Sequence, residues 1–260
     1  MKLSGALNAE WTKARTLAST GWLLLAAIAA TVAVSTAVAA AVTCPAGNCA
    51  EDPAKISLTG VYLGQAVVAI LAVLMISGEY STGMIRVTLA AMPGRATVLA
   101  AKAAILTGLV LAAGAVAVLG CVLAGHIILP GHGIGPSHGY PSLSLGDGPV
   151  LRATAGSVLY LVLVALLSLG TAAAVRDSGT AIGVVLGLLY LFPIVAAVLG
   201  GSPLGRHLQQ IGPMTAGLAI QATTGLRHLP ISPWAGLGVL AAWTAAALLA
   251  GGLVLCLRDA

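Results

Sequence analysis

Few side chains in this sequence can do chemistry, and they fall in short clusters. The run SGEYSTGMIRVTLAAMPGRATVLAAK, residues 77–102, holds Glu79, Arg86, Arg95 and Lys102 between two long apolar stretches. Charge this dense beside a membrane span must sit in water or against another protein. Cys44 and Cys49 stand five apart in the turn-rich TCPAGNCAEDPAK. The pair can close a disulfide outside the cytoplasm and would stay reduced within it. A metal at this pair is the weaker alternative, since no His or further Cys lies nearby. His126, His132 and His138 are spaced by six. They lack the partners and the i, i+4 helical geometry that fix a metal, so they read as solvated loop histidines.

No GxxxxGK[ST] phosphate cradle and no HExxH occur, so neither P-loop ATP hydrolysis nor zincin chemistry is expected of this chain. The expected spans are read as free of interior Asp, Glu, Lys and Arg, with Lys102 counted at the edge of the third. That argues against proton relays, intramembrane proteases, ion-coupled carriers and charged-ring channels. The chain is therefore not expected to be an enzyme. If it does work, the energy must enter from a second polypeptide.

The elements that would position these residues follow from composition. Of 260 residues, 59% are hydrophobic and 7% charged, against about a quarter charged in soluble domains. That is the composition of an integral membrane protein. The formal charge of +5 comes from bases standing singly beside apolar runs, not from basic stripes with aromatics. It marks topology rather than nucleic acid as a partner. The first apolar run is too long for a cleavable signal.

One all-α membrane domain over 1–260 is expected. An amphipathic helix comes first, within residues 1–19, with Leu3, Leu7, Trp11, Ala14 and Ala18 on one face, and Asn8, Thr12 and Thr16 opposite. It should lie along lipid headgroups, anchored by Trp11 and flanked by Lys13 and Arg15. Six spans follow at about 21–42, 57–76, 100–129, 153–175, 180–200 and 234–257, each near the roughly 20 residues a bilayer requires. Gln65 reads as an interhelical hydrogen-bonding residue, and Pro193 as a kink in the fifth span. The apolar MTAGLAIQATTGL is too short to cross and reads as re-entrant or surface-lying.

Counting bases orients the chain. Lys2, Lys13, Arg15, Arg86, Arg95, Lys102, Arg176 and Arg258 fall on one side, and Lys55, Arg152, Arg206 and Arg227 on the other. The richer side is expected to be cytoplasmic. Both termini and residues 77–102 then face the cytoplasm, and the Cys44/Cys49 loop faces out.

Within the charged run, Ser81-Thr82 can cap a short helix on which Ile85, Leu89 and Met92 recur at helical spacing before Pro93-Gly94 ends it. This helix under the membrane can fill a groove on a soluble partner. It can equally be a hairpin packed on lipid. The run Glu79-Tyr80-x-x-Gly83-Met84-x-Arg86-x-x-Leu89-x-x-x-Pro93-x-Arg95, followed by Lys102, resembles the loop after the second span of ABC type-2 permeases. The opening Glu10-Trp11-x-Lys13-x-Arg15 is similar to that family's first helix. Ile231-Ser232-Pro233-Trp234-Ala235-Gly236 and the closing Leu257-Arg258-Asp259-Ala260 resemble its actinobacterial members. Met84 and Arg86 depart from the usual Thr and acidic residue.

The resemblance covers the whole chain. It implies that residues 81–92 form a coupling helix, with Glu79, Tyr80, Thr82, Gly83, Arg86, Leu89, Pro93 and Arg95 docking an ATPase. The implied partners are two P-loop ATPase subunits that hold the ATP and magnesium, a second permease copy or a sister permease, and membrane lipid. The chain itself would hold no cofactor and would sit in the cell membrane as an exporter of a lipophilic or amphipathic cargo. The alternatives are a non-transporting scaffold that docks an ATPase and an outward-facing metal-handling protein using His132 and His138.

Overall fold

Lipid offers a backbone no hydrogen-bond partner, so a chain this apolar must satisfy its amides inside helices. The computed structural model describes residues 3–16, 18–43, 52–81, 83–84, 94–136 and 139–257. Among the described residues there is no strand, and six helices are long and apolar enough to cross a membrane. The protein is an all-α, multi-pass membrane protein.

The helices are α1 (Leu3–Thr16), α2 (Ala18–Ala41), α3 (Pro53–Ser57), α4 (Val61–Ser81), α5 (Arg95–Ile128), α6 (Gly148–Val175), α7 (Ser178–Val198), α8 (Pro203–Ile211), α9 (Pro213–Gly217) and α10 (Pro233–Leu257). The spanning ones are α2, α4, α5, α6, α7 and α10. Helix α6 is the hub. It packs on α4, α5, α7 and α10 and buries Tyr160, Leu161, Val164, Leu167 and Leu169. Peripheral helices turn apolar residues outward, among them Trp22, Leu25, Val198, Leu249 and Leu253, a surface that belongs in lipid.

Two expected boundaries move for identifiable reasons. The span placed at 57–76 is interrupted: Asp52 accepts from the Ala54 amide at 3.1 Å and starts the short α3, which ends at Ser57, before α4 begins at Val61. The span placed at 100–129 begins instead at Arg95 and has 34 residues. At 1.5 Å per residue it is about 51 Å long, well beyond the roughly 30 Å of hydrocarbon. Helix α5 therefore extends beyond the hydrocarbon layer.

Close helix approaches occur at glycines. A Cβ on Gly60 would land on the Thr31 carbonyl of α2, and there the Gly60 amide donates to Ser35 Oγ at 2.9 Å. A Cβ on Gly170 would meet the α10 backbone, 2.5 Å from the Ala247 carbonyl carbon.

The apolar segment after α8 enters the bundle and does not lie on its surface. Residues Pro213, Met214, Ala216, Gly217, Ile220, Gln221 and Ala222 are buried, and Gly217 abuts the Tyr160 ring and Leu240. Leu240 lies seven residues into α10, which puts this re-entrant turn about 10 Å down that helix. Its irregular backbone is accommodated because protein groups satisfy it. Arg152 donates to the Ala222 carbonyl, and Gln221 donates to Ser157 Oγ at 3.1 Å. Asp52 accepts from the Thr223 amide, from Thr223 Oγ1 at 2.6 Å and from the Thr224 amide at 3.0 Å.

Asp52 thus fastens two loops at one end of the bundle. Asp52→Asn keeps an acceptor for α3 but loses charge and one lone-pair set, and is expected to cost about 1.5 kcal/mol. A thermal-unfolding comparison in detergent checks it; an unchanged midpoint would remove Asp52 from this role.

Candidate functional site

At the end opposite Asp52, four charged side chains from three helices meet. Glu10 and Lys13 lie three residues apart on α1, Glu79 in the last turn of α4, and Lys102 in the second turn of α5. Lys102 Nζ is 2.7 Å from Glu10 Oε2 and 2.7 Å from Glu79 Oε1. Lys13 Nζ is 2.8 Å from Glu79 Oε1 and 3.2 Å from Glu10 Oε1. Lys102, Glu10 and Glu79 are 1%, 2% and 7% exposed, so this is a largely buried ion quartet and not a surface decoration. Burial pulls the Lys13 pKa down, but its bond to Glu79 and the charges of Glu10 and Glu79 outweigh that. The pKa is raised above the ordinary 10.5, and Lys13 stays protonated.

This packing corrects the expected face of α1. The buried face is Ala6, Glu10 and Ala14, with Leu7 and Lys13 half-buried beside it. Ala6 packs against Val98 and Ala101 of α5. Small residues on both sides let the two helices approach closely enough for Glu10 to reach Lys102. Trp11 and Ala18, placed on the apolar stripe by spacing, are exposed; Trp11 at 49% is open to lipid. Arg15 is exposed as well. The charge counted at the edge of the expected third span is enclosed by protein. Lys102 lies inside α5 and is fully enclosed, neutralised by carboxylates from two other helices.

Two further bases at this end, Arg95 and Arg176, close a helix terminus. Arg95 donates to the Leu255 carbonyl at 2.8 Å and to Cys256 at 3.4 Å, and Arg176 donates to Val254 at 3.2 Å. Both therefore sit at the C-terminus of α10, where unsatisfied carbonyls and the helix dipole favour cations. The Arg176 guanidinium lies 5.5 Å from the centre of the Tyr80 ring. Gly83 turns the chain after α4 with φ 70°, a conformation that suits glycine.

Of the residues singled out by sequence, the structure thus gathers Glu10, Lys13, Glu79, Tyr80, Gly83 and Arg95 at one end. Thr82, Arg86, Leu89 and Pro93, with residues 85–92 of the expected coupling helix, lie outside the described residues, as do Cys44 and Cys49.

Two further observations bear on chemistry. Among the described residues no group of three or more His, Cys, Asp or Glu could hold a metal ion; His138 lies outside them. Gly135-Pro136-Ser137-His138-Gly139 has the G-x-S-x-G spelling of a nucleophile elbow, a motif that requires a strand-to-helix turn. Here it follows a 3-10 turn at the end of α5, and no strand occurs among the described residues.

Gln65 is a hydrogen-bonding residue between helices, as its isolation in an apolar run suggested. It accepts from the Tyr160 hydroxyl of α6, and its amide nitrogen lies 3.2 Å from Met214 Sδ of α9. Helix α7 runs through Pro193 without a break, and three residues earlier the Tyr190 hydroxyl donates to the Tyr62 carbonyl of α4. Beside these groups, at the Asp52 end, a cleft of about 580 Å³ is lined by Tyr62, Pro193, Met214 and Gln221.

Sequence reading missed Asp52 and the pairing of Lys102 with Glu10. For Asp52 a signal was present, since Asp-Pro opening a short polar-to-apolar segment is a helix start. No family model matches the chain, and no curated protein matches it.

Proposed function

We propose that the chain is the transmembrane permease subunit of an ATP-driven ABC exporter, worked from the cytoplasm by a separate pair of ATPase subunits. The observation that carries the reading is the ion quartet. The segment between α4 and α5 is the charged run whose residue pattern resembles a coupling helix, and the helices on both sides of it are pinned to each other and to α1 through Glu79, Lys102, Glu10 and Lys13. Force applied to residues 82–93 would move the three helices together, because separating them breaks buried ion pairs.

Arg95 and Arg176 extend the linkage to α10, so a push on this end reaches helices on both sides of α6. No nucleotide cradle is present in the sequence, which leaves the motor to another chain. The expected cargo is lipophilic or amphipathic, in keeping with apolar span surfaces. The positive-rich end is expected to face the cytoplasm.

Arg86 carries the docking charge in this reading, whereas Arg95 is engaged with α10. With the complex reconstituted in proteoliposomes, Arg86→Glu is expected to lower ATPase stimulation about tenfold, the loss of one interface anchor, without changing the unfolding midpoint of the permease. Unaltered stimulation removes the docking assignment. Sidedness is read from Thr88→Cys in a chain whose four native cysteines are replaced by serine. Labelling by an impermeant thiol reagent from outside intact cells would overturn the reading, since no cytosolic motor could then grip the loop.

A further inference from the structure

Helix α8, PLGRHLQQI, carries its apolar residues on one edge and does not bury them. Leu204, Leu208 and Ile211 recur at spacings of four and three, which stacks them along one side of the helix, yet Leu204 and Ile211 are 57% and 40% exposed. The side turned to the protein is formed instead by Gly205, where a Cβ would lie 2.6 Å from the Gly200 carbonyl oxygen, and by Gln209, which lines the cleft of about 580 Å³. Depth decides what meets the exposed edge. Helix α7 follows the charged pair Arg176-Asp177 and has 21 residues, about 32 Å, close to the roughly 30 Å of hydrocarbon. Val198 at its end therefore marks the far boundary of that layer, and α8 turns back from it. A Cβ on Gly212, directly after α8, would lie 2.9 Å from Phe192 Cβ, and Phe192 stands six residues, about 9 Å, before the end of α7. From the other side Trp243, ten residues beyond the start of α10 at Pro233, donates its indole N–H to the Ile211 carbonyl at 2.9 Å. Two spanning helices thus set the end of α8 below the membrane surface.

We propose that α8 is a lipid-facing wall set into the leaflet at the Asp52 end, with phospholipid acyl chains packed on Leu204, Leu208 and Ile211 and headgroup phosphates at the level of Arg206. An apolar edge exposed at the depth of Ile211 meets hydrocarbon, and none of the three residues lines the cleft, so the edge faces away from it. Arg206 and His207 are exposed and stand in the upper part of the helix, where a long basic stem reaches phosphate and water. Trp234, 60% exposed at the start of α10, sits where aromatic residues meet headgroups. The polar groups of α8 are served by protein, as lipid requires. The Gly205 amide donates to Ser202 Oγ at 3.1 Å, Gln210 donates to the Pro230 carbonyl at 2.9 Å, and Trp243 takes the last carbonyl. One side of α8 then lies in lipid while Gln209 on the other faces the cleft, so this helix separates the cleft from the bilayer. The assignment stands on the membrane fold and this geometry, and not on the proposed transport activity.

The test places a nitroxide on a single cysteine, at Leu204→Cys, Arg206→Cys or Ile211→Cys, in the full-length chain with its four native cysteines replaced by serine. Each protein is reconstituted in liposomes of palmitoyl-oleoyl phosphatidylcholine and phosphatidylglycerol. Collisions of the label with oxygen, which concentrates in hydrocarbon, are compared with collisions with a water-soluble nickel chelate. The label at 211 is expected to favour oxygen several-fold more than the label at 206, with 204 in between. Leu208→Cys, on the same edge, takes the place of position 211 if that variant melts early. Equal preference for the nickel chelate at 206 and on the apolar edge puts α8 in water and overturns the proposal. Poor access of both reagents to 204 and 211 means that protein, a second copy of the chain included, covers the edge, and overturns it as well.

Discussion

Lys102→Ala is expected to destabilise the protein by about 3–5 kcal/mol, the cost of removing one partner from a buried ion pair. The substitution leaves Glu10 and Glu79, which are 2% and 7% exposed, sharing Lys13 alone among the described residues. Both carboxylates then face each other across the vacated space without the ammonium that bridged them at 2.7 Å. The loss should be local before it is global. α1 is held to α5 by this bridge and a small apolar contact at Ala6, Val98 and Ala101, so it should detach first.

Two measurements check this: the unfolding midpoint in detergent, and thiol labelling of Ala6→Cys in a chain lacking the native cysteines. Position 6 is buried in the intact protein and should become reactive when Lys102 is removed. Neutralising the whole set, with Glu10→Gln, Glu79→Gln and Lys13→Met added to Lys102→Met, should recover much of the loss, since fully replaced buried ion pairs often cost little. A Lys102→Ala protein with the parental midpoint and an unreactive position 6 would mean that the quartet does not hold α1.

Gly170→Leu is expected to have the second largest effect. The first atom of any side chain at this position would lie 2.5 Å from the Ala247 carbonyl carbon and 2.6 Å from the Leu248 nitrogen. Both are backbone atoms, which cannot step aside as a flexible side chain would. Gly251 of α10 faces Gly170 in turn, so glycine lies on both sides of this crossing. Overpacking of a core usually costs about 1–3 kcal/mol; with backbone on both sides, the upper end of that range or more is expected, with α10 displaced from α6. The control is Gly187→Leu on α7, where a Cβ meets open space and the change should stay within about 0.5 kcal/mol. If the two variants melt together, α6 and α10 are not in backbone contact.

Much of the fold was legible because lipid imposes so strict a rule. Apolar runs of about 20 residues with charges only at their edges can be little else than spanning helices, and all six appear. Helix ends were read less well where local chemistry competed with hydropathy. Asp52 starts α3 ahead of the expected second span, and the helix then breaks between Ser57 and Val61; α5 starts five residues before the expected third span, at Arg95, which holds the end of α10. The α1 face was misread for a related reason. Spacing counts apolar residues, and here the buried stripe contains Glu10, with Lys13 half-buried beside it, and both count as polar until their partners are known. Gln65 was easier: one amide in an apolar run must find a partner, whichever helix supplies it.

Sequence alone determined that this chain is a membrane protein of six helical crossings, where its charges lie along the chain, and that it carries no phosphate cradle of its own. Those properties are local, set by transfer free energy and by motif spelling. Tertiary structure decided which charges neutralise one another. Glu10 and Lys102 are 92 residues apart, and nothing in the spacing of either predicts the other; only the close packing of α1 on α5, allowed by alanines, brings them within hydrogen-bonding distance. It also decided that both lysines converge on one oxygen of Glu79, because the number of donors reaching a buried carboxylate depends on helix placement and not on composition.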